Sequence, residues 1–179
     1  MMNMSLQNLT SKSKRMDRFY VTFFGLPENI SNVVGRQVTT ITRPEVGFDT
    51  LRTTHRRNTY VDVGKVTLQP INITFKDDEE SITSMFLYAQ IMRQLNQFSD
   101  IFGDTNNEEQ LRKFGIKVEF MNANDKITES YHLKDCIITA ISHSDPTTGD
   151  DDDTDMNVTI EYDNLDVKIF DTFMTLSRG

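Results

Sequence analysis

The sequence contains no tryptophan, one cysteine, three histidines and four prolines in 179 residues. A single thiol, Cys136, rules out a disulfide within the chain. Its place in an apolar run marks it as a buried, inert side chain of a protein made in a reducing cytoplasm. Apolar runs are short: the longest, residues 136–141, falls far below the roughly 20 residues that a helix needs to cross a bilayer. The first fifteen residues, MMNMSLQNLTSKSKR, lack the apolar centre of a secretory signal. His55, His132 and His143 lie on separate segments, with no second ligand at metal-binding spacing. There is no phosphate-cradling glycine loop, no dinucleotide fingerprint after a strand and no G-x-S-x-G elbow. An enzyme is therefore not expected, and neither is a cofactor or a resident metal.

The charge is abundant but uneven. Residues 1–70 carry ten Lys/Arg against five Asp/Glu, and the remainder nine against twenty-two, for a net charge of −8. Such a balance repels nucleic acid overall, since affinity for it comes from cations that release phosphate counterions. A basic first third and an acidic remainder also suit copies that meet through opposite patches.

Residues 1–18 read as a flexible polar arm that carries Lys12, Lys14 and Arg15. A strand follows in FYVTFF and stops at Gly25-Leu26-Pro27, and a short β-branched strand at residues 37–42 is ended by Arg43-Pro44. Residues 45–58 are polar and basic without a period and read as a long exposed loop or hairpin. Period-two alternation then marks strands over 59–63 and 65–75. Asp77-Asp78-Glu79-Glu80 has the look of a helix start, and Ile82, Met85, Phe86, Ala89 and Met92 predict one amphipathic helix over residues 79–98. Alternation returns at Ile116, Val118 and Phe120, across the turn-like Asn122–Asp125 cluster to 127–133, through 135–142, at Met156 to Tyr162 and over 167–170. Seven to nine strands and one helix predict a mainly β domain over 19–179: a barrel or sandwich of two packed sheets with the helix on one side.

Two charged clusters invite other readings. Asp150, Asp151, Asp152, Asp153 and Asp155 have cation-chelating spacing, but a calcium loop needs Gly at its sixth position and Glu at its twelfth. Counting from Asp151 puts Met156 and Tyr162 there, so a solvated acidic surface is expected. Arg52, His55, Arg56 and Arg57 lack the interleaved aromatics of a single-strand groove, which favours a protein partner over DNA.

The order of these segments resembles a known family. RFYVTF (18–23), VGRQVTTITRP (34–44), PINITF (70–75), FGIKVEF (114–120), LKDCIITAIS (133–142) and MNVTIEYDNL (156–165) follow one another as in the tail tube proteins of contractile-tailed phages. The tube protein of the type VI secretion system is similar at greater distance, and the likeness spans residues 17–170. The resemblance implies a homohexameric ring joined sheet edge to sheet edge. Such rings stack head to tail into a hollow tube that contacts sheath and baseplate proteins and conducts phage DNA without binding it. It implies a virion component assembled in the host bacterial cytoplasm, without membrane insertion. It also assigns contacts between copies to the arm (Lys12, Lys14, Arg15) and to the loop with Phe48, Arg52, His55, Arg56 and Arg57. It suggests an acidic channel wall as well. The alternatives are a baseplate tube-initiator of the same fold or, in another class, a soluble β-domain binding a small ligand or carbohydrate.

Overall fold

The computed structural model describes residues 18–26, 28–55, 58–77, 80–95, 112–144 and 154–179, with the backbone alone at 28 and 29. Ten strands and two helices follow in the order β1 (Phe19–Phe24), α1 (Glu28–Arg36), β2 (Val38–Ile41), β3 (Val46–His55), β4 (Asn58–Leu68), β5 (Ile71–Lys76), α2 (Ile82–Gln94), β6 (Phe114–Met121), β7 (Ile127–His143), β8 (Asp155–Glu161), β9 (Asn164–Ile169) and β10 (Thr172–Ser177). None of the described helices is long and apolar enough to cross a membrane.

All ladders are antiparallel, and the 17-residue β7 organises them. Its first half lies between β6 and β9 in a sheet ordered β1-β6-β7-β9-β10. Its second half continues into a sheet ordered β7-β8-β5-β2. We call these sheets A and B. The passage from one to the other occurs at Asp135, whose left-handed φ of 57° breaks the pleat. Asn164 Nδ2 holds the Asp135 carboxylate at 2.8 Å there.

Period two explains the core. Phe114, Ile116, Val118 and Phe120 from β6 meet Ile71, Ile73 and Phe75 from β5 and Met156, Val158 and Ile160 from β8, all buried. Phe23 joins the layers, its ring centroid 6.0 Å from Phe75, 6.1 Å from Phe86 of α2 and 6.5 Å from Phe114. The two-sheet architecture expected from the sequence is therefore present. Among the described strands no ladder joins β1 or β10 to sheet B, so the sheets pack without closing into a barrel.

The structure departs from expectation in four places. Helix α1 was not foreseen: ENISNVVGR is short, β-branched and glycine-containing, a composition poor in intrinsic helix preference. Helix α2 runs over Ile82–Gln94 rather than 79–98. It starts after Ser81 in the left-handed region with no side-chain cap bond, while the expected cap Asp77 accepts a hydrogen bond from Ser84 Oγ at 3.1 Å. Its buried face is Thr83, Phe86, Leu87, Ala89 and Gln90, so Met85 points to solvent. The chain also turns at Phe170, φ 52°, into β10, which period alone did not separate from β9.

Tyr162 is 1% exposed with a hydroxyl that meets no hydrogen-bond partner, and burial pushes its pKa up to about 12. An unpaired buried hydroxyl costs about 1–3 kcal/mol. Tyr162→Phe is therefore expected to leave stability unchanged or raise it by about 1 kcal/mol, checked by the denaturant midpoint at constant slope.

Candidate assembly surfaces

Four strand borders end the two sheets, and they differ in how they are covered. The border of β1 is occupied by α1. Ser31 Oγ donates to the Phe23 carbonyl at 2.7 Å, and a side chain at Gly35 would meet the Val21 carbonyl at 2.5 Å. Gly35 is thus what lets the helix lie against the strand. The border of β10 and both borders of sheet B carry no neighbouring strand among the described residues.

On sheet B one border is β2. Thr42 N–H donates to the Asn72 carbonyl at 2.9 Å, so at alternate Ile41 the backbone polar groups point away from β5. The other border is the second half of β7, beyond the point where β6 stops pairing at Cys136. Gln94, the last residue of α2, docks there. Its Oε1 accepts from Ile138 N–H at 2.8 Å and its Nε2 donates to the Ile138 carbonyl at 2.9 Å. One side-chain amide thus imitates a strand residue. Past it, the edge from Thr139 to His143 continues with no second strand beside it among the described residues. Because every ladder is antiparallel, β2 and β7 run in opposite directions at the two sides of a four-stranded sheet.

The second surface is the β3–β4 hairpin, paired from Val46↔Leu68 to His55↔Asn58 with a bulge between Phe48 and Thr50. At its root Arg178 Nη2 donates to the Leu68 carbonyl at 3.3 Å and Gly179 N–H to the Val66 carbonyl at 3.3 Å. Arg43, just before β3, pairs with Glu129 at 3.3 Å and lies over the Phe120 ring. Beyond the root both faces are open, with Phe48, Leu51, Tyr60, Val61 and Val63 all more than half exposed. Val61 and Val63 share a face with Thr50 and Arg52, while Leu51 and Tyr60 share the other with Thr53 and Asp62. A two-stranded ribbon with apolar groups on both faces is marginal alone in water, so it is suited to contact with another surface.

Of the residues singled out in the sequence, Phe48, Arg52 and His55 stand exposed on this hairpin. Arg56, Arg57, Lys12, Lys14, Arg15 and Asp150 to Asp153 lie outside the described residues. Asp155 opens β8 opposite Lys76. Sequence reasoning missed Leu51, Tyr60, Val61 and Val63, whose signal was apolar residues at both parities of a strand. It also missed Gln94, for which the sequence holds no signal. Cys136 is fully buried and burial pushes its thiol pKa far above the ordinary range, in line with an inert thiol. No group of His, Cys, Asp or Glu among the described residues is arranged to hold a metal ion.

The outer face of sheet A is charged. Lys117, His132 and Asp166 stand in register across β6, β7 and β9, with Lys134 paired to Asp166 and Thr175 donating to it at 2.9 Å. Burial works against the Asp166 carboxylate, but the hydrogen bonds from Lys134 and Thr175 prevail and hold its pKa below the usual value. Burial, then Lys134, depress His132 below 6.5, with Lys117 acting the same way and Asp166 opposing them. The unfolded chain therefore binds this proton first as pH falls, so His132 contributes a loss of stability that begins near pH 6.5 and grows until the folded imidazole titrates. His132→Gln is expected to flatten the fall of thermal midpoint between about pH 7 and 5.

No protein-family model and no curated protein matches the sequence. Solved structures do. A chain of the PVC sheath-tube complex of an extracellular contractile injection system, in its extended state, matches with TM-score 0.61 at 12% identity. The match spans 92% of this chain and 97% of that one. The tube-terminating cap of the anti-feeding prophage matches with TM-score 0.64 at 13% identity, over 94% of this chain and 99% of that one. The fold is that of contractile-injection tube and terminator proteins. A chain of the anti-feeding prophage baseplate, 6-fold symmetrised, matches with TM-score 0.55 at 11% identity over 93% and 97%. Coverage is nearly complete on both sides, so this chain and those tube and terminator chains are of nearly equal length.

Proposed function

We propose that the chain is the tube subunit of a contractile, tail-like particle. Six copies join through sheet B into a ring, and rings stack into a hollow conduit. The observation that carries this reading is the pair of oppositely directed open borders on one sheet. The β2 border of one copy and the β7 border of the next can add as an antiparallel pair, and a closed ring leaves no such border unpaired. Six copies of four strands give 24 strands, which at about 4.8 Å spacing enclose a backbone circle roughly 37 Å across. A ring of that size has no room inside for six copies of sheet A and the helices, so these layers lie outside and the free face of sheet B faces the axis. Six-fold symmetry is also the symmetry of the matched baseplate.

The exposed hairpin and the arm of residues 1–18 are the proposed contacts between rings, with Phe48, Arg52, His55, Arg56 and Arg57 on one and Lys12, Lys14 and Arg15 on the other. Sheath and baseplate proteins are the further partners. In a phage tail the passing polymer is DNA, and six copies at −8 each oppose adsorption of phosphate. Assembly is in the host bacterial cytoplasm and the product is part of the virion.

A second reading, a subunit that begins or ends the tube, is favoured by the match to the terminating cap. Electron microscopy of the purified protein tests both. Long hollow tubes support the main subunit, and isolated rings support the tube-end subunit. A monodisperse monomer at high concentration removes the ring altogether.

A further inference from the structure

The free face of sheet B has an unusual chemistry for a surface of a protein with net charge −8. Across β2, β5 and β8, Thr40 Oγ1 donates to Thr74 Oγ1 at 2.8 Å, and Thr74 Oγ1 donates to Asn157 Oδ1 at 2.8 Å. A second chain runs from Thr159 Oγ1 to Asn72 Oδ1 at 2.8 Å, with Thr42 Oγ1 on the Asn72 carbonyl at 3.2 Å. The register continues this row onto β7, where Ala140 stands opposite Thr159 and Ser142 opposite Asn157. Charged side chains on this face occur only at the two ends of the described strands. Lys76 and Asp155 are opposite each other at one end, and Glu161, held by Arg178 at 3.2 Å, is at the other. The remaining charge of the described residues lies on sheet A, the hairpin, the helices and the turns.

Resting on the ring reading above, we infer that the channel wall, between its charged ends, is an uncharged lattice of hydroxyls and amides that hydrogen-bond to one another, not the acidic lining that the resemblance implied. Two consequences follow for a passing polymer. Between its charged ends the described wall has no fixed cation to pair with phosphate and no fixed anion to hold basic segments, so this middle stretch does not discriminate by the sign of the cargo's charge. Donors and acceptors already paired across strands also have less to gain from pairing with cargo, which keeps adhesion low. An acidic wall would instead exclude anions at low salt and lose that effect as the screening length shrinks.

The test uses assembled tubes of Ser142→Cys, with Asn157→Cys as a second site should the first impair assembly. Cys136 is buried and gives no background. Positively and negatively charged methanethiosulfonates are applied, each rate normalised to that with a free thiol. The expected ratio of cation to anion rates is within about twofold of one, and it changes by less than about twofold between roughly 20 and 500 mM salt. A cation preference of roughly tenfold or more at low salt, collapsing at high salt, overturns the inference. In parallel, biotin placed on the same cysteine is expected to be reached by streptavidin in dissociated chains but not along tube walls. Streptavidin decorating the tubes overturns the inwardly facing lattice while leaving the tube itself standing. Failure of the unmodified chain to form rings at any concentration removes the ring reading and the wall with it.

Discussion

The double substitution Val61→Asp and Val63→Asp is expected to raise the protein concentration needed for tube growth by about two orders of magnitude or more, while the subunit stays folded. Both side chains are about two-thirds exposed in the single chain, at 64% and 65%, and lie on one face of the hairpin. Covering a valine contributes about 1.5 kcal/mol, so losing both costs each contact about 3 kcal/mol, and each 1.4 kcal/mol is a factor of ten in association. The introduced carboxylates add a desolvation cost on top. The subunit itself loses less, because neither residue reaches the core, and lower strand preference accounts for at most about 1 kcal/mol per site. Sedimentation velocity and negative-stain microscopy across a concentration series separate the two effects, with circular dichroism as the control. Unchanged tube growth would place the ring-to-ring contact elsewhere.

That the hairpin escaped full recognition in the sequence has a physical cause. Strands facing a core announce themselves by period two, and β5, β6 and β8 were legible for that reason: Ile71-Ile73-Phe75, Phe114 to Phe120 and Met156-Val158-Ile160 each alternate with polar neighbours. The β3–β4 ribbon has no core to face. Its apolar residues fall on both parities, so β3 showed no period and β4 was legible as a strand but not as an apolar surface, although the ribbon is paired over nearly its whole length. For α1 the obstacle is different. Its helix is selected by tertiary contact, Ser31 on the Phe23 carbonyl and Gly35 against the Val21 carbonyl, rather than by local preference. The amide of Gln94 on the edge of β7 is likewise a product of packing, since 44 residues separate it from Ile138.

These two placements bear on assembly together. A sheet border with unpaired N–H and C=O groups is a template for any passing strand, and proteins cover those they do not use. Here α1 covers β1, and the Gln94 amide covers one residue of β7. Among the described residues, what is left open on that side of sheet B is a short stretch of β7 beyond Ile138, matched in length to the four-residue β2. The covering elements therefore limit the ways two copies can pair, and a limited set of registers is what a ring of fixed size requires.

The border of β2 supplies the second decisive experiment. Ile41→Pro is expected to abolish rings and tubes and leave a folded monomer. Proline at this position removes an N–H that points away from β5, so the ladder within the subunit keeps its bonds while the neighbour loses a donor and meets a ring of carbons. One lost interstrand bond costs about 1 kcal/mol net, and the steric clash is additional. A ring contains six such junctions, so the deficit is about 6 kcal/mol before the clash is counted, four orders of magnitude in the concentration term for closure. Ile41 also packs against the core from a partly buried position, which makes Ile41→Val the necessary control. It keeps the N–H, loses one methylene, costs about 0.5–1.5 kcal/mol in stability, and should still assemble. Rings formed by the proline variant at wild-type concentrations would show that β2 is not a junction, and the closed sheet around the axis would have to be abandoned.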